Sequence, residues 1–275
     1  MVPIITAETL NSEVNNYQGA DGELAFWWLG QMGFALRVGE LTLYLDPFLA
    51  PQENRLVPPL LSAKDLVGCD FVFGSHDHTD HIDYALWKNL NFLSPNTKFV
   101  VPKLLVKPLS DKLGIPEEDF VGIDEDVSFD NGTIRIVGIA AAHEFLSPDP
   151  ESGLHPAMSY LVESGGCRIY HAGDNCKYEG LETKLRNAGK IDLMMVPING
   201  RDGRKLRAGI IGNMDFREAV DLVGMVEPRL AVPAHYDMFE GNTEDPEKFV
   251  DYLKVKYPQQ SCWVGGHYTC VTVSR

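Results

Sequence analysis

The sequence has few of the features expected of a membrane-bound or secreted protein. Its longest uninterrupted apolar run is residues 24–29, whereas a helix that spans a bilayer needs about 20 apolar residues. No basic residue precedes Arg37, so the N-terminus does not show the basic and apolar segments of a secretory signal. We therefore expect a cytoplasmic protein with no membrane partner.

Positive charge is also scarce. The 24 Lys and Arg residues are outnumbered by 39 Asp and Glu residues, which gives a net charge of −15. An acidic surface repels phosphate backbones at long range, so we expect no long nucleic acid as a partner. A small anionic substrate remains compatible with this charge, because a metal ion or an arginine cluster can reverse the field inside one cleft.

Cysteine is present in an odd number and without a C-x-x-C pair. The five cysteines are Cys69, Cys167, Cys176, Cys262 and Cys270. This pattern predicts reduced, mostly buried thiols and argues against a disulfide framework. The chain also has no internal repeat, low-complexity tract or long linker, so we expect a single domain over residues 1–275.

The order of apolar patterns indicates an α/β protein. Short apolar or aromatic runs predict strands at 24–29, 33–38, 41–46, 71–73, 133–140, 159–163, 168–171, 191–196 and 230–233. Helical spacing predicts helices at 84–90, 103–113, 181–188, 216–226 and 246–255. The strands form two groups, each followed by helices, which suits two sheets packed face to face with helices outside. Periodicity alone leaves other α/β layouts open.

One stretch, residues 117–130, contains seven carboxylates and no Lys or Arg. A calcium-binding loop needs ligands at fixed alternating positions, which these residues do not supply. We predict a solvated surface segment.

A dense group of potential metal ligands follows the predicted strand 71–73. Residues 76–81 read H-x-H-x-D-H, with donors at His76, His78, Asp80 and His81. Three imidazoles and a carboxylate in six positions would be costly to bury without a cation. Imidazole nitrogen suits zinc and similar transition metals, and carboxylate oxygen extends the choice toward harder ions. The alternative is a polar helix start with chance histidines.

Six residues cannot complete two coordination spheres, so further ligands should lie at the ends of later strands. His143, Asp174 and His235 each follow a predicted apolar strand. Loops at the ends of strands converge at one edge of a sheet, so these donors can meet the 76–81 loop. Taken singly, each of the three could equally be an ordinary core or surface residue.

These residues, in this order, resemble the metallo-β-lactamase-fold hydrolases over most of the chain. The resemblance implies a four-layer αββα sandwich and two metal sites. It implies that the first metal is held by His76, His78 and His143, the second by Asp80, His81 and His235, and that Asp174 bridges them.

Two positions narrow the chemistry that the resemblance implies. His78 stands where the flavodiiron oxidoreductase branch carries a glutamate, which favours hydrolysis over redox chemistry. Asp174 stands where true β-lactamases carry a cysteine, which disfavours antibiotic cleavage.

Several segments further resemble the L-ascorbate-6-phosphate lactonase branch, namely 27–31, 55–59, 198–202 and 235–246. This resemblance implies a phosphorylated sugar-acid lactone as substrate, a place in carbohydrate metabolism and a homo-oligomer.

The chemistry expected of such a centre is hydrolysis. Two close divalent cations lower the pKa of a shared water to about 7. The resulting hydroxide, held under Asp174, would attack a lactone or ester, and Asp80 is the nearest candidate to carry a proton to the leaving alkoxide. Mixed nitrogen and oxygen ligands accept one or two ions of Zn²⁺ or Mn²⁺, with Fe²⁺ also compatible.

Two further residues, Asp46 and His171, are candidates for support of the metal ligands. Asp46 ends a predicted strand and could orient a ligand histidine through its other ring nitrogen, or could be a turn residue. His171 could support a ligand, face the substrate or be a core histidine. His267 is an alternative to His235 as the last ligand, although a strand end suits His235 better.

A basic segment stands out on this acidic chain, with four cations at Arg201, Arg204, Lys205 and Arg207. Its glycines predict a loop near the rim of the metal cleft. Guanidinium groups match phosphate and carboxylate oxygens, so a substrate clamp is one interpretation. A solvated loop, or pairing with acidic neighbours, is equally compatible. As substrate-binding candidates we take Asn199 and Arg201 from this region, and Tyr236 from the segment that resembles the lactonases.

Two other functions compete with the lactonase hypothesis. The same centre could serve a phosphodiesterase or nuclease acting on a small phosphodiester or RNA. The chain could also be a metal-binding scaffold that has lost catalysis, which the complete ligand set argues against.

Overall fold

The computed structural model describes residues 5–125 and 127–275. The strands in these residues are β1 Glu23–Gly30, β2 Gly33–Val38, β3 Leu41–Leu45, β4 Phe71–Phe73, β5 Lys98–Pro102, β6 Phe120–Ile123, β7 Phe129–Asp130, β8 Ile134–Ala140, β9 Met158–Ser164, β10 Cys167–His171, β11 Leu193–Pro197, β12 Leu230–Ala234 and β13 Cys270–Ser274. The α-helices are α1 Ala7–Asn16, α2 Tyr84–Leu93, α3 Val106–Leu113, α4 Leu181–Asn187, α5 Gly203–Arg207, α6 Phe216–Val226 and α7 Pro246–Lys256.

The strands form two sheets. One has seven strands in the order β13-β1-β2-β3-β4-β5-β6, and the other has six in the order β12-β11-β10-β9-β8-β7. Strands β3 to β6 run parallel, as do β10 to β12. Helices α1 to α3 share a core with the outer face of the first sheet, and α4, α6 and α7 contribute to the core of the second. The predicted four-layer αββα sandwich is confirmed.

Strand β1 shows why residues 24–29 are apolar throughout. Leu24, Phe26 and Trp28 lie in the core between the sheets, whereas Ala25 and Trp27 lie in the core under helices α1 to α3. Successive side chains on a strand point to opposite faces, so a strand covered on both faces needs apolar residues at every position. The six apolar residues therefore belong to a central strand.

The sequence patterns missed six of these elements: helices α1 and α5 and strands β5, β6, β7 and β13. Three of the six lie where polar or charged residues are mixed with apolar ones. Residues 98–102 begin with a lysine, and residues 270–274 form an edge strand with a half-exposed face. Helix α5 has five residues and begins at Asp202, whose side chain accepts hydrogen bonds from the backbone N–H groups of Arg204 and Lys205. The predicted loop at 199–207 is corrected accordingly.

The prediction of a solvated segment at 117–130 was also wrong in part. Strand β6 pairs with β5 in this stretch, with Phe99 opposite Phe120. Asp124 is buried, and its carboxylate accepts hydrogen bonds from the backbone N–H and the Nδ1 of His155 at 2.8 and 2.9 Å. The apolar residues between the carboxylates placed the segment at the edge of the sheet. Asp126 lies outside the described residues.

The five cysteines are free thiols, of which Cys69, Cys167 and Cys176 are buried, Cys262 is half-buried and Cys270 is exposed. Within the described residues, no helix combines the length and the apolar character that a membrane crossing needs. The single domain over residues 1–275 stays a prediction.

Candidate metal centre

The predicted ligands lie in loops at the ends of strands. His76 follows β4, His143 follows β8, Asp174 follows β10 and His235 follows β12 directly. The parallel pairing of β10, β11 and β12 brings Asp174 and His235 to the same sheet edge. The isolated bridge between His76 and Ala157 joins the loop after β4 to the start of β9. The two sheets therefore bring their loops together at one end of the sandwich.

The structure brings all seven predicted ligands together. Their donor atoms form three groups, each within 4.8 Å: His76, His78 and His143; His76, His81 and Asp174; and Asp80, His81 and His235. The groups share His76 and His81, so the seven donors form one continuous cluster in which the group that contains Asp174 joins the other two.

Short distances tie the groups to one another. Asp174 Oδ1 lies 3.0 Å from His235 Nε2 and 3.2 Å from His81 Nε2. His143 Nε2 lies 3.3 Å from His78 Nδ1. One carboxylate oxygen thus faces both histidines of the third group, and Asp174 also shares the second group with His76.

The donor set fits a metal ion. Among the described residues, the ring nitrogens His76 Nε2 and His81 Nε2 and the carboxylate oxygen Asp174 Oδ1 are buried without a well-aligned hydrogen bond, although Asp174 Oδ1 lies close to two imidazole nitrogens. A buried polar atom without a partner costs about 1–3 kcal/mol. Imidazole nitrogen and carboxylate oxygen are the donors that zinc and manganese accept, so divalent cations bound here would satisfy these atoms.

The turn before Asp174 needs a glycine. Gly173 has a φ of +57°, and a Cβ there would lie 2.6 Å from the Cβ of Ser75. Real Cβ atoms do not approach this closely, so a larger residue would push Asp174 away from the loop that carries His76. The His-Ala-Gly-Asp sequence therefore serves the close approach of two loops.

Asp46 lies behind His81, where a residue that orients a ligand is expected. Its Oδ2 is 2.5 Å from His81 Nδ1, and it accepts hydrogen bonds from the Ser75 hydroxyl at 2.6 Å and the Ser75 backbone N–H at 2.8 Å. Asp46 has a φ of +41°, a strained value for a residue other than glycine. The contacts with His81 and Ser75 hold it there.

His171 lies deeper in the protein than the ligands. It is fully buried, and its Nε2 is 2.9 Å from the backbone oxygen of Met32 and 3.9 Å from Asp46 Oδ2. Its ring meets the edge of Phe34, with 6.3 Å between the ring centroids. The surroundings are those of a core histidine next to Asp46, since it faces neither solvent nor the donor groups.

Gln31 is a site residue that the sequence did not single out. Its side-chain Nε2 donates a hydrogen bond to Asp80 Oδ2 at 3.2 Å and lies 3.4 Å from His235 Nε2. Its backbone oxygen accepts from the backbone N–H of His235 at 3.0 Å, and its φ is +52°. A lone glutamine in a hairpin turn has no chemical pattern, so only the position of this turn beside the ligands identifies it.

The three predicted substrate-binding residues lie in contacts within the chain. The amide of Asn199 is buried between Asn213 and Asn242. The two terminal nitrogens of Arg201 donate to the Glu218 carboxylate, each at 2.8 Å. Of the two interpretations of Arg201, this geometry favours pairing with an acidic neighbour.

Tyr236 is mostly buried against Trp28, with 5.0 Å between the ring centroids. His267 stacks on the ring of Trp28, with 4.4 Å between the ring centroids, and is hydrogen-bonded to Asp237. None of the three donor groups found in the described residues includes His267.

Burial and charge divide the histidines in the metal-free protein. Burial lowers the pKa of His76 well below its usual range, helped by the nearby His81, and burial also lowers the pKa of His143. Burial opposes the charged form of His81 and His235 too, but Asp174 and Asp80 outweigh it and raise both pKa values. Burial likewise disfavours ionised Asp174, yet His235 and His81 hold its pKa well below the usual range.

Comparison with known proteins agrees with this geometry. Residues 42–236 match the family model of the beta-lactamase superfamily domain, a range that contains all seven predicted ligands. The chain is 27% identical over 232 residues to a UPF0173 metal-dependent hydrolase of Archaeoglobus fulgidus, covering 83% of this chain and 90% of that protein.

Solved structures show the same fold at lower identity. Igni18, a novel metallo hydrolase from Ignicoccus hospitalis, superposes with a TM-score of 0.69 at 19% identity over 91% of this chain and 98% of its own. CmlA, a diiron beta-hydroxylase from Streptomyces venezuelae, superposes with a TM-score of 0.66 at 17% identity over 94% of this chain and 55% of its own. A hydrolase and a hydroxylase share this fold, so the chemistry must be argued from the site.

Proposed function

The chain belongs to the beta-lactamase superfamily, and from that premise we propose that this metal-dependent hydrolase uses two divalent cations to cleave a lactone or an ester. The observation that carries the proposal is the convergence of seven nitrogen and oxygen donors, three of whose atoms are buried without a well-aligned hydrogen bond to any described residue. His76, His78 and His143 would hold one ion, Asp80, His81 and His235 the other, and Asp174 would lie between them.

Cations held there would lower the pKa of water to about 7 and polarise the carbonyl of the substrate. Asp174 would be shared between the two ions, and its carboxylate can accept a hydrogen bond from the attacking water, which orients the lone pair of the water toward the carbonyl carbon. A carbon–oxygen bond to water then forms, the ester or lactone carbon–oxygen bond breaks, and the proton lost by water must reach the leaving alkoxide.

Asp80 is the residue proposed to carry that proton. Its side chain is 22% exposed, whereas that of Asp174 is 5% exposed, so Asp80 is the more accessible of the two carboxylates. Gln31 Nε2 donates to Asp80 Oδ2 and fixes the direction of the carboxylate. The oxygen that is not held by Gln31 is then free to exchange a proton.

The substrate is the finer part of the proposal. A phosphorylated sugar-acid lactone such as L-ascorbate 6-phosphate is suggested by the resemblance of sequence segments, and a small phosphodiester is the second candidate because the same ion pair suits in-line displacement. A cytoplasmic location fits either substrate.

The test is reconstitution after chelation, with Zn²⁺ and with Mn²⁺, followed by metal analysis and assay on lactones, L-ascorbate 6-phosphate, carboxylic esters and bis(p-nitrophenyl) phosphate. We expect up to two ions per chain and metal-dependent cleavage of lactones or esters. The His78→Gln variant should lose activity, whereas the matched His155→Gln variant, changed outside the donor groups, should keep it. Two bound ions without hydrolysis of any compound would favour a scaffold, and cleavage of the phosphodiester alone would favour the second candidate.

A further inference from the structure

A small apolar cavity opens directly beside the outer histidines. Its volume is about 240 Å³, and His76, His78 and His143 form one of its walls. The remaining lining is mostly apolar, with Leu105, Ala141, Phe145, Pro156 and Ala157, and also contains Asp77 and Ser147. A group in this cavity would therefore touch both the proposed metal ligands and an apolar surface.

The charge of the cavity argues against an anionic occupant. No Lys or Arg of the described residues lines it, and its one carboxylate is Asp77, which accepts a hydrogen bond from the Tyr84 hydroxyl. Arg201 lines two other cavities, of about 320 and 180 Å³, neither of which is lined by a predicted metal ligand. Away from an ion held by the three histidines, a phosphate in this cavity would meet Asp77 and would have no lining Lys or Arg of the described residues to pair with.

The exposure of the cavity wall points the same way. Phe145 is 70% exposed at the mouth and follows His143 by two residues, and Leu146 is 42% exposed beside it. Large apolar side chains at the rim of a concave site are typical of ligand binding. An occupant of this cavity would cover the ring of Phe145.

We infer that the cavity binds an uncharged, apolar group of the substrate, so that the preferred substrate is a lactone or ester with an alkyl or aryl substituent and not a phosphorylated sugar lactone. This inference rests on the proposed function and names its substrate class. A cavity of about 150 Å³ holds a benzene ring, so a space of about 240 Å³ suits a ring or a short alkyl chain.

The test is a series in which only the substituent grows: γ-butyrolactone, γ-hexanolactone and γ-octanolactone, with L-ascorbate 6-phosphate as the anionic arm. Each buried methylene should raise kcat/KM by about fourfold until the cavity is full. A second readout that does not depend on turnover is calorimetric binding of acetohydroxamate and octanohydroxamate to the metal-loaded protein. We expect octanohydroxamate to bind more than tenfold tighter.

Two variants assign the effect to the cavity. Phe145→Asp should flatten both chain-length trends, because it replaces the apolar ring at the mouth of the cavity with a carboxylate. The matched control is Phe92→Ala on α2, at a phenylalanine that is 85% exposed and does not line the cavity. This control should keep both trends.

The outcomes separate the inference from the proposed function. Hydrolysis of lactones with no chain-length trend, or with a preference for the phosphorylated lactone, would overturn the inference and leave the hydrolase intact. Tighter binding of octanohydroxamate in a loaded protein that hydrolyses no lactone or ester would support the apolar cavity and overturn the function.

Discussion

The two halves of the candidate metal centre are built differently. The outer group, His76, His78 and His143, contains only imidazoles and borders the apolar cavity, and His78 is exposed. The inner group, Asp80, His81 and His235, contains a carboxylate, and both of its histidines are buried. The outer group therefore borders the space available to a substrate, whereas the inner group is mostly enclosed by other residues of the protein.

The support behind the two halves differs as well. Asp46 and Ser75 hold His81 from behind, and Gln31 holds Asp80 and lies against His235. Behind the outer group, the contact described is that of Ser75 Oγ with His76 Nδ1 at 3.1 Å. Hydrogen bonds from residues behind the metal ligands fix the orientation of those ligands. We therefore interpret the inner half, which has more such bonds, as rigid and the outer half as the side that adapts to substrate.

The largest effect should come from removing Asp174, the residue that we propose is shared by the two ions. Asp174→Ala should lower the metal content below two ions per chain and reduce kcat by more than about 100-fold. This loss exceeds the loss expected when a residue that only supports a metal ligand is removed. The reason is that Asp174 groups with His76 of the outer half and His81 of the inner half, and that its carboxylate balances the charge of His81 and His235. Metal analysis and steady-state kinetics measure both effects. Full occupancy with an unchanged rate would contradict the bridging role.

The next largest effect should separate the halves. Asp46→Ala removes the carboxylate behind His81 and should weaken binding of one of the two ions by about 10–100-fold while sparing the other. The matched control is Asp77→Asn, a change at an exposed carboxylate next to the outer group. Competition with a chelator of known affinity measures each ion. Equal weakening of both ions by Asp46→Ala would show that the halves are not independent.

Sequence patterns predicted much of this centre for a physical reason. The H-x-H-x-D-H segment contains several metal-binding side chains that are costly to bury without a partner. His143, Asp174 and His235 each follow a strand that can be recognised in the sequence by its apolar residues. Gln31 and Ser75 could not be predicted, because a single amide or hydroxyl acquires its role only when another loop is folded against it. The edge strand Cys270–Ser274 was missed because half of its residues face solvent, which removes the continuous apolar run that identified β1.

The two halves should also differ in their response to pH. The pKa values of His81 and His235 are raised, so in the metal-free protein these residues stay protonated at higher pH than usual, and an ion must displace their protons. The pKa values of His76 and His143 are lowered, so both are neutral at pH 7. Affinity of the inner site should therefore rise about tenfold per pH unit for each proton displaced, up to the raised pKa values.

Over the same range, the affinity of the outer site should change little. Calorimetric titration of the chelated protein between pH 6 and 8, in buffers with different ionisation enthalpies, counts the protons released with each ion. Release of the same number of protons with both ions would contradict the division of the histidines.

The smallest effect should come from changing Arg201. This change tests whether the basic segment takes part in substrate binding together with the outer half. The guanidinium donates to Glu218 and to the backbone oxygen of Asn213, and it does not border the cavity beside His143. Arg201→Ala should therefore cost about 0.2–1 kcal/mol of unfolding free energy, as expected for a largely exposed ion pair, and should leave KM unchanged for neutral and phosphorylated lactones alike. Chemical denaturation and steady-state kinetics measure the two quantities. A selective rise in KM for the phosphorylated lactone would show that Arg201 leaves Glu218 to bind substrate. An arginine that stays paired with Glu218 cannot distinguish the neutral lactone from the phosphorylated one.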